Sequence, residues 1–208
     1  MSLIKKSALL IVVFLILDQV LKVWIKTHLM LGEDIPIFGD WFKIYFIENN
    51  GMAFGMELEG KWGKILLSLF RIIAICGIGW YLIDICKKKA PKGLIFSIAL
   101  IFAGAMGNIL DSAFYGMVFN DSYYQVASFL PDGGVYSSFL HGKVVDMLYF
   151  PLIDGNFPSW VPGWGGEHFV FFRPVFNLAD SYITIGVAFI LLFQRKYFVD
   201  ETSKKTKE

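Results

Sequence analysis

Four runs of this chain, residues 7–27, 64–86, 93–111 and 176–195, are each long and apolar enough to cross a bilayer, which rules out most folds open to a chain of this length. Hydrocarbon offers no partner to a backbone N–H or C=O, so a spanning segment is a helix or part of a closed barrel. Continuous apolar runs of about 20 residues read as helices. The composition agrees: 56% of the 208 residues are hydrophobic and the mean hydropathy is +0.57, more apolar material than a soluble domain needs. A net charge of +1 gives no basic face with which to hold nucleic acid. Cys76 and Cys86 match neither a metal clip nor a redox CxxC, and His28, His141 and His168 are scattered, so no metal or cofactor is expected.

The positive charges set the expected orientation. Lys5 and Lys6 precede the first run, KKKAPK joins the second to the third, and RK with KKTK follows the fourth. Lysine and arginine accumulate on the cytoplasmic side. A single membrane domain over residues 1–208 is therefore predicted: span 7–27, outer loop 29–63, span 64–86, cytoplasmic loop 87–92, span 93–111, outer loop 112–175, span 176–195 and cytoplasmic tail 196–208. SALLIVVFLIL runs on into DQVLKVWIK with no small-residue cleavage site, so the first run reads as an anchor helix and not as a removed leader. In the outer loops, IPIFGDWFKIYFI and HFVFFRPVF are aromatic and β-branched stretches bounded by Gly and Pro, and read as strands. The fold class predicted is integral membrane: four transmembrane α-helices with a small β-rich extramembrane platform and an extended outer loop. ETSKKTKE at the C-terminus is predicted to lack fixed structure.

The spans are not uniformly apolar. Asp180 lies inside the fourth, where a carboxylate costs several kcal/mol unless something compensates it. Asp18 and Lys22 sit at i and i+4 of the first and can pair. Arg71 lies seven residues into the second, and Asp111 closes the third. At about 1.5 Å of rise per residue, these five side chains share one depth in the outer half of the bilayer. NILD and NLAD each place an Asn (Asn108, Asn177) three residues before an Asp, on one face if both are helical. In the outer loop, GKVVDML puts Asp146 in an apolar run. Asp146 either faces water from an edge strand or folds down to meet Asp180. In the second case the two acids would share a proton, one activating water and the other polarising a scissile carbonyl.

DQVLK at 18–22, NNGMAFG at 49–55, GNILD at 107–111, GKVVDML at 142–148 and FNLAD at 176–180 resemble, in order and topology, the motifs of the lipoprotein signal peptidases, the type II signal peptidases of bacteria. These are intramembrane aspartic proteases, and the likeness covers roughly residues 7–196. The resemblance implies catalytic roles for Asp146 and Asp180. It implies supporting roles for Asp18, Lys22, Asn49, Gly51, Asn108, Asp111 and Asn177, beside the Arg71 noted above. It further implies a diacylglyceryl-modified prolipoprotein substrate cut just before the lipidated cysteine, inhibition by globomycin-type cyclic peptides, membrane lipids as neighbours, and a bacterial cytoplasmic membrane location. A four-helix monomer would suffice for that chemistry.

The sequence departs from the family pattern in three places. Ser112 stands where Arg is usual after GNILD, leaving Arg71 or Arg173 to take over its contact, or Asp111 to face water. Met147 replaces an aromatic residue. The outer loop is longer, chiefly at 119–141 and 151–172, where an added hairpin over the site and a surface decoration are both open readings. The rival to an enzyme is a small ion- or proton-coupled transporter with an Asp/Lys/Arg relay, and a third reading is a structural subunit in which Asp18 pairs with Lys22 and Arg71 with Asp111.

Overall fold

All four expected spans are helices in the computed structural model, which describes residues 1–51 and 61–205. They are α1 (Leu3–His28), α2 (Lys61–Lys87), α3 (Lys92–Val118) and α4 (Leu178–Lys205). Of the NNGMAFG segment, residues 52–55 lie outside the described residues. The polarity of the bundle is that of a membrane protein. Leu9, Val12, Ile16 and Val20 of α1, Phe70 and Ile73 of α2, and Leu191 and Leu192 of α4 are exposed, whereas Asp18, Lys22 and Asp111 are at most 1% exposed. Lipid is as good a solvent for leucine as a protein core is, so helices here associate through close backbone approach and polar contacts. At the α3–α4 contact this is literal: a Cβ on Gly104 would meet the Ala179 carbonyl, and one on Gly186 would come within 2.7 Å of the Ser97 carbonyl.

The third and fourth helices differ most from the expected spans. The third span does not stop at Asp111. It passes through a π-helical turn, Asp111–Tyr115, and a further turn, Gly116–Val118. Widening the turn frees main-chain carbonyls that an α-helix would consume. Ser112, Ala113 and Gly116 accept there from the N–H groups of Gly142 (2.9 Å), Leu140 (3.3 Å) and Ser137 (2.9 Å), docking the chain that leads into Asp146. The fourth span begins at Leu178, because Phe176 belongs to a strand and Asn177 is the helix cap. At its other end α4 is kinked at Phe193 (φ −109°, ψ 15°), and helix resumes beyond it to Lys205, where the sequence predicts no fixed structure.

The outer segments form the predicted platform. Strands β1 (Asp34–Phe38), β2 (Phe42–Asn49), β3 (Val144–Tyr149) and β6 (Val175–Phe176) make one antiparallel sheet in the order β1-β2-β3-β6. Strands β4 (Ile153–Asn156) and β5 (His168–Phe171) pair separately as a hairpin. The insertion at 119–141 is largely exposed but anchored to the platform. Phe119 and Ala127 are buried in one cluster with Ile25 and Leu29 of α1, Phe46 of β2 and Met147 of β3. A buried ionic knot lies beside this cluster. Lys26 pairs with Glu48 and donates to the Ser122 hydroxyl at 2.8 Å, and its ammonium stands 5.0 Å from the Tyr136 ring. The sequence signal for it was present, since Asp18, Lys22 and Lys26 recur every four residues and mark a polar stripe along α1.

Candidate active site

Asp146 reaches the top of α4 because of strand pairing. In the central strand β3, Leu148 is opposite Phe176 and Tyr149 opposite Val175, so the chain leaving β6 passes alongside β3 and enters α4 at once. β3 is covered by β2 on one side and β6 on the other, and Asp146 is only 2% exposed, so the water-facing edge reading does not hold.

Asn177 couples the two acids. Its side-chain carbonyl accepts from the Asp180 N–H at 2.9 Å, while its own N–H donates to Asp180 Oδ2 at 3.3 Å, a reciprocal capping box at the start of α4. Its side-chain amide donates to Asp146 Oδ1 at 2.6 Å and to Asn108 Oδ1 at 3.1 Å. Asn108 in turn donates to Asp180 Oδ1 at 2.8 Å, and the Asn49 amide donates to Asp146 Oδ2. Thus the NILD amide serves the carboxylate of the other tetrapeptide and not Asp111 of its own. Each of Asp146 and Asp180 is oriented by two N–H donors, the geometry that fixes a carboxylate in one rotamer.

Beneath the pair lies a closed charge cluster. The Lys22 ammonium reaches Asp111 at 2.8 Å, Asp18 at 3.0 Å and Asn108 Oδ1 at 2.9 Å, which satisfies all three of its N–H bonds. Asp18 Oδ1 accepts the Ala179 N–H at 3.0 Å, one of the unpaired donors at the start of α4. Asp111 accepts from Gln19 at 2.8 Å and from the Val145 N–H at 3.4 Å. Lys22 therefore holds α1, α3, α4 and β3 in register beneath the acids. Asp111 does not face water, and neither Arg71 nor Arg173 pairs with it among the described residues: Lys22 neutralises Asp111, Gln19 donates a hydrogen bond to it, and the Ser112 hydroxyl donates to the Asn108 carbonyl at 3.1 Å. Gln19, absent from the sequence reading, was signalled by its place beside Asp18 in an apolar run; Tyr115 donates to it at 3.0 Å.

Arg71 and Gly51 act together. The guanidinium donates to the Gly51 carbonyl, and the Gly51 N–H donates to Asn49 Oδ1, which turns the amide of Asn49 toward Asp146. Gly51 has φ +87°, and a Cβ there would lie 2.6 Å from Arg71 Nη1. Gly51→Ala would add about 1–2 kcal/mol of backbone strain and displace Arg71. The expected result is a modest drop in melting temperature together with a roughly tenfold to hundredfold loss of turnover, because the groups aligning Asp146 move. A variant with wild-type kinetics would show that this loop does not position the acid.

Asn49, Gly51, Arg71, Asn108, Asp146 and Asp180 line one cavity of about 910 Å³, walled also by Ile47, Val144, Phe176 and Thr184. Burial, reinforced by the nearby Asp180 charge, pushes the Asp146 carboxyl up to about 7. Toward the opposite ends of the helices, the buried polar side chains among the described residues are Ser7 and Ser97, whose hydroxyls donate to carbonyls of their own helices.

Four apolar helices under an antiparallel sheet, with two amide-held acids facing one cavity, define a multi-pass membrane protein with a polar pocket between its helices and its sheet. Comparison with known proteins narrows this. The family model for signal peptidase (SPase) II matches residues 10–195, and the chain belongs to that family. The lipoprotein signal peptidase of Porphyromonas gingivalis (strain W83) is 52% identical over 90% of this chain and 82% of its own length. That of Amoebophilus asiaticus is 40% identical over 86% of this chain and 73% of its own. A bacterial membrane enzyme solved by the in meso method covers 100% of this chain and 95% of its own, with a TM-score of 0.59 at 26% identity. A second covers 92% and 93%, with a TM-score of 0.58 at 28% identity.

Proposed function

We propose that this chain is an aspartic endopeptidase that cuts diacylglyceryl-modified prolipoproteins just before the lipidated cysteine, with Asp146 and Asp180 as its catalytic pair. Removal of signal peptides from prolipoproteins follows from the family itself. The aspartic mechanism rests on one observation: two acids from separate elements, joined by Asn177, face a single cavity. Asp180 takes a proton from water as general base, and Asp146, whose proton is retained to about pH 7, donates to the scissile carbonyl. The diacylglyceryl chains stay in the outer leaflet among membrane lipids, and the signal helix enters sideways between the protein's helices. The distribution of positive charge supports a topology with both termini in the cytoplasm and the acids toward the outer face of a bacterial cytoplasmic membrane. A globomycin-type cyclic peptide would occupy the same cavity, and a monomer carries every residue the reaction uses.

The test is cleavage of a synthetic lipid-modified precursor across pH. Activity is expected to form a bell whose alkaline limb falls near pH 7, as Asp146 loses its proton, and to be insensitive to chelators. Mass spectrometry of the product should show the diacylglyceryl cysteine as its first residue. Chelator inhibition, or a cut elsewhere, would overturn the reading.

A further inference from the structure

The carboxylate cavity does not end at the acids. Arg173 and Val175 form part of its wall and also part of the wall of a second cavity, of about 460 Å³. Strand β2 lines the two in succession, with Asn49 and Ile47 in the first and Tyr45 and Lys43 in the second. From Asn49 to Lys43 an extended strand covers about 20 Å, room for several residues of peptide beyond the acids. The charges along this extension are not balanced. Lys43 is 3.6 Å from Asp34, and His168 of the inserted β4–β5 hairpin is 2.6 Å from Asp154. Arg173, exposed at the junction of the two cavities, has no ion pair or hydrogen bond among the described residues. The aromatic wall beside it is Tyr45 against Tyr149, with ring centroids 5.7 Å apart.

We propose that this second cavity binds the polypeptide immediately following the lipidated cysteine, and that Arg173, supported by Lys43, selects precursors carrying an acidic side chain there. This rests on the protease reading of the first cavity. The membrane-buried signal helix and the mature chain leave the cut in opposite directions. The signal helix lies with the transmembrane helices, so the mature chain is the part that must pass Arg173 and cross the sheet. It arrives extended, as protease substrates do, and an uncompensated guanidinium at the water–lipid boundary favours a carboxylate through a charge-assisted hydrogen bond. An anionic lipid headgroup would satisfy Arg173 alone. It would not account for a groove that continues over Tyr45, Tyr149 and Lys43.

The experiment compares two synthetic diacylglyceryl precursors differing only in the second to fourth residues after the cysteine, acidic in one and their amides in the other. Both are presented in zwitterionic nanodiscs and again in nanodiscs containing phosphatidylglycerol. The wild type is expected to process the acidic precursor about fivefold better, mainly through KM, in both lipids. That preference should collapse in Arg173→Gln and reverse toward a lysine-bearing precursor in Arg173→Glu. Equal processing of both precursors by the wild type, or a preference that survives Arg173→Gln, would overturn the proposal. So would an Arg173→Gln effect that appears only with phosphatidylglycerol, which would assign the guanidinium to lipid. Failure of the wild type to cut any precursor would instead overturn the protease reading on which this one stands.

Discussion

Asp146→Asn and Asp180→Asn should each lower cleavage of a lipid-modified precursor by about a thousandfold or more while leaving an inserted, folded protein. The two acids are the only carboxylates lining the main cavity among the described residues, and each is held by two N–H donors, so an isosteric amide keeps the shape of the site and removes its proton chemistry. Stability gives an independent readout. The folded-state value for Asp146 is raised from 3.8 to about 7, so between those values the folded protein binds more protons than the unfolded chain. The stabilisation this gives is complete below about pH 4 and is lost as pH rises through 7. Asp146→Asn abolishes that dependence. Its melting temperature relative to the wild type should therefore be higher at pH 8 than at pH 5. Normal turnover by either amide variant would remove the mechanism.

Lys22→Met should be the most damaging single change to the fold. Lys22 is fully buried and holds Asp18 and Asp111 together, so its removal strands two carboxylates with no cation in contact. Breaking a buried ion pair from one side costs about 3–5 kcal/mol. The loss should appear as a drop of many degrees in melting temperature in detergent, with activity lost as well, because Asn108 is released and Asp18, which ties α1 to the start of α4, loses its cation. Asp18→Asn should be milder, about 1–3 kcal/mol. It leaves Lys22 paired with Asp111, so Asp18 is not the sole partner that the i, i+4 spacing alone suggests. Equal melting temperatures for Lys22→Met and the wild type would show that the charge cluster does not hold the helices.

How much of this was legible in the sequence depends on range. The spans were readable because twenty apolar residues admit few alternatives, and the strands because IPIFGDWFKIYFI and HFVFFRPVF carry the right residue types. The depth of Asp18, Lys22, Asp111 and Asp180 followed from helical rise. Hydrogen-bond partners did not, because NILD and NLAD look alike while Asn108 sits inside a helix and Asn177 caps one. That difference comes from β6, two residues that pair with β3 and delay the start of α4. Likewise, no local pattern in 119–141 announces that Phe119 and Ala127 will be buried against α1 and the sheet, since that depends on the π-helical turn at Asp111–Tyr115. Arg173 was visible as a charge and a possible stand-in near Ser112, but its place between two cavities is a property of the folded sheet.

The most direct measurement of whether the two acids work as a pair is a titration of Asp146 by carbon-13 carboxyl NMR in the wild type and in Asp180→Asn. The wild-type midpoint is expected near 7 and should fall when the Asp180 charge is removed, yet stay above the ordinary 3.8 because burial remains. A midpoint that does not respond to Asp180→Asn, or that already lies at the ordinary value in the wild type, would contradict the pairing.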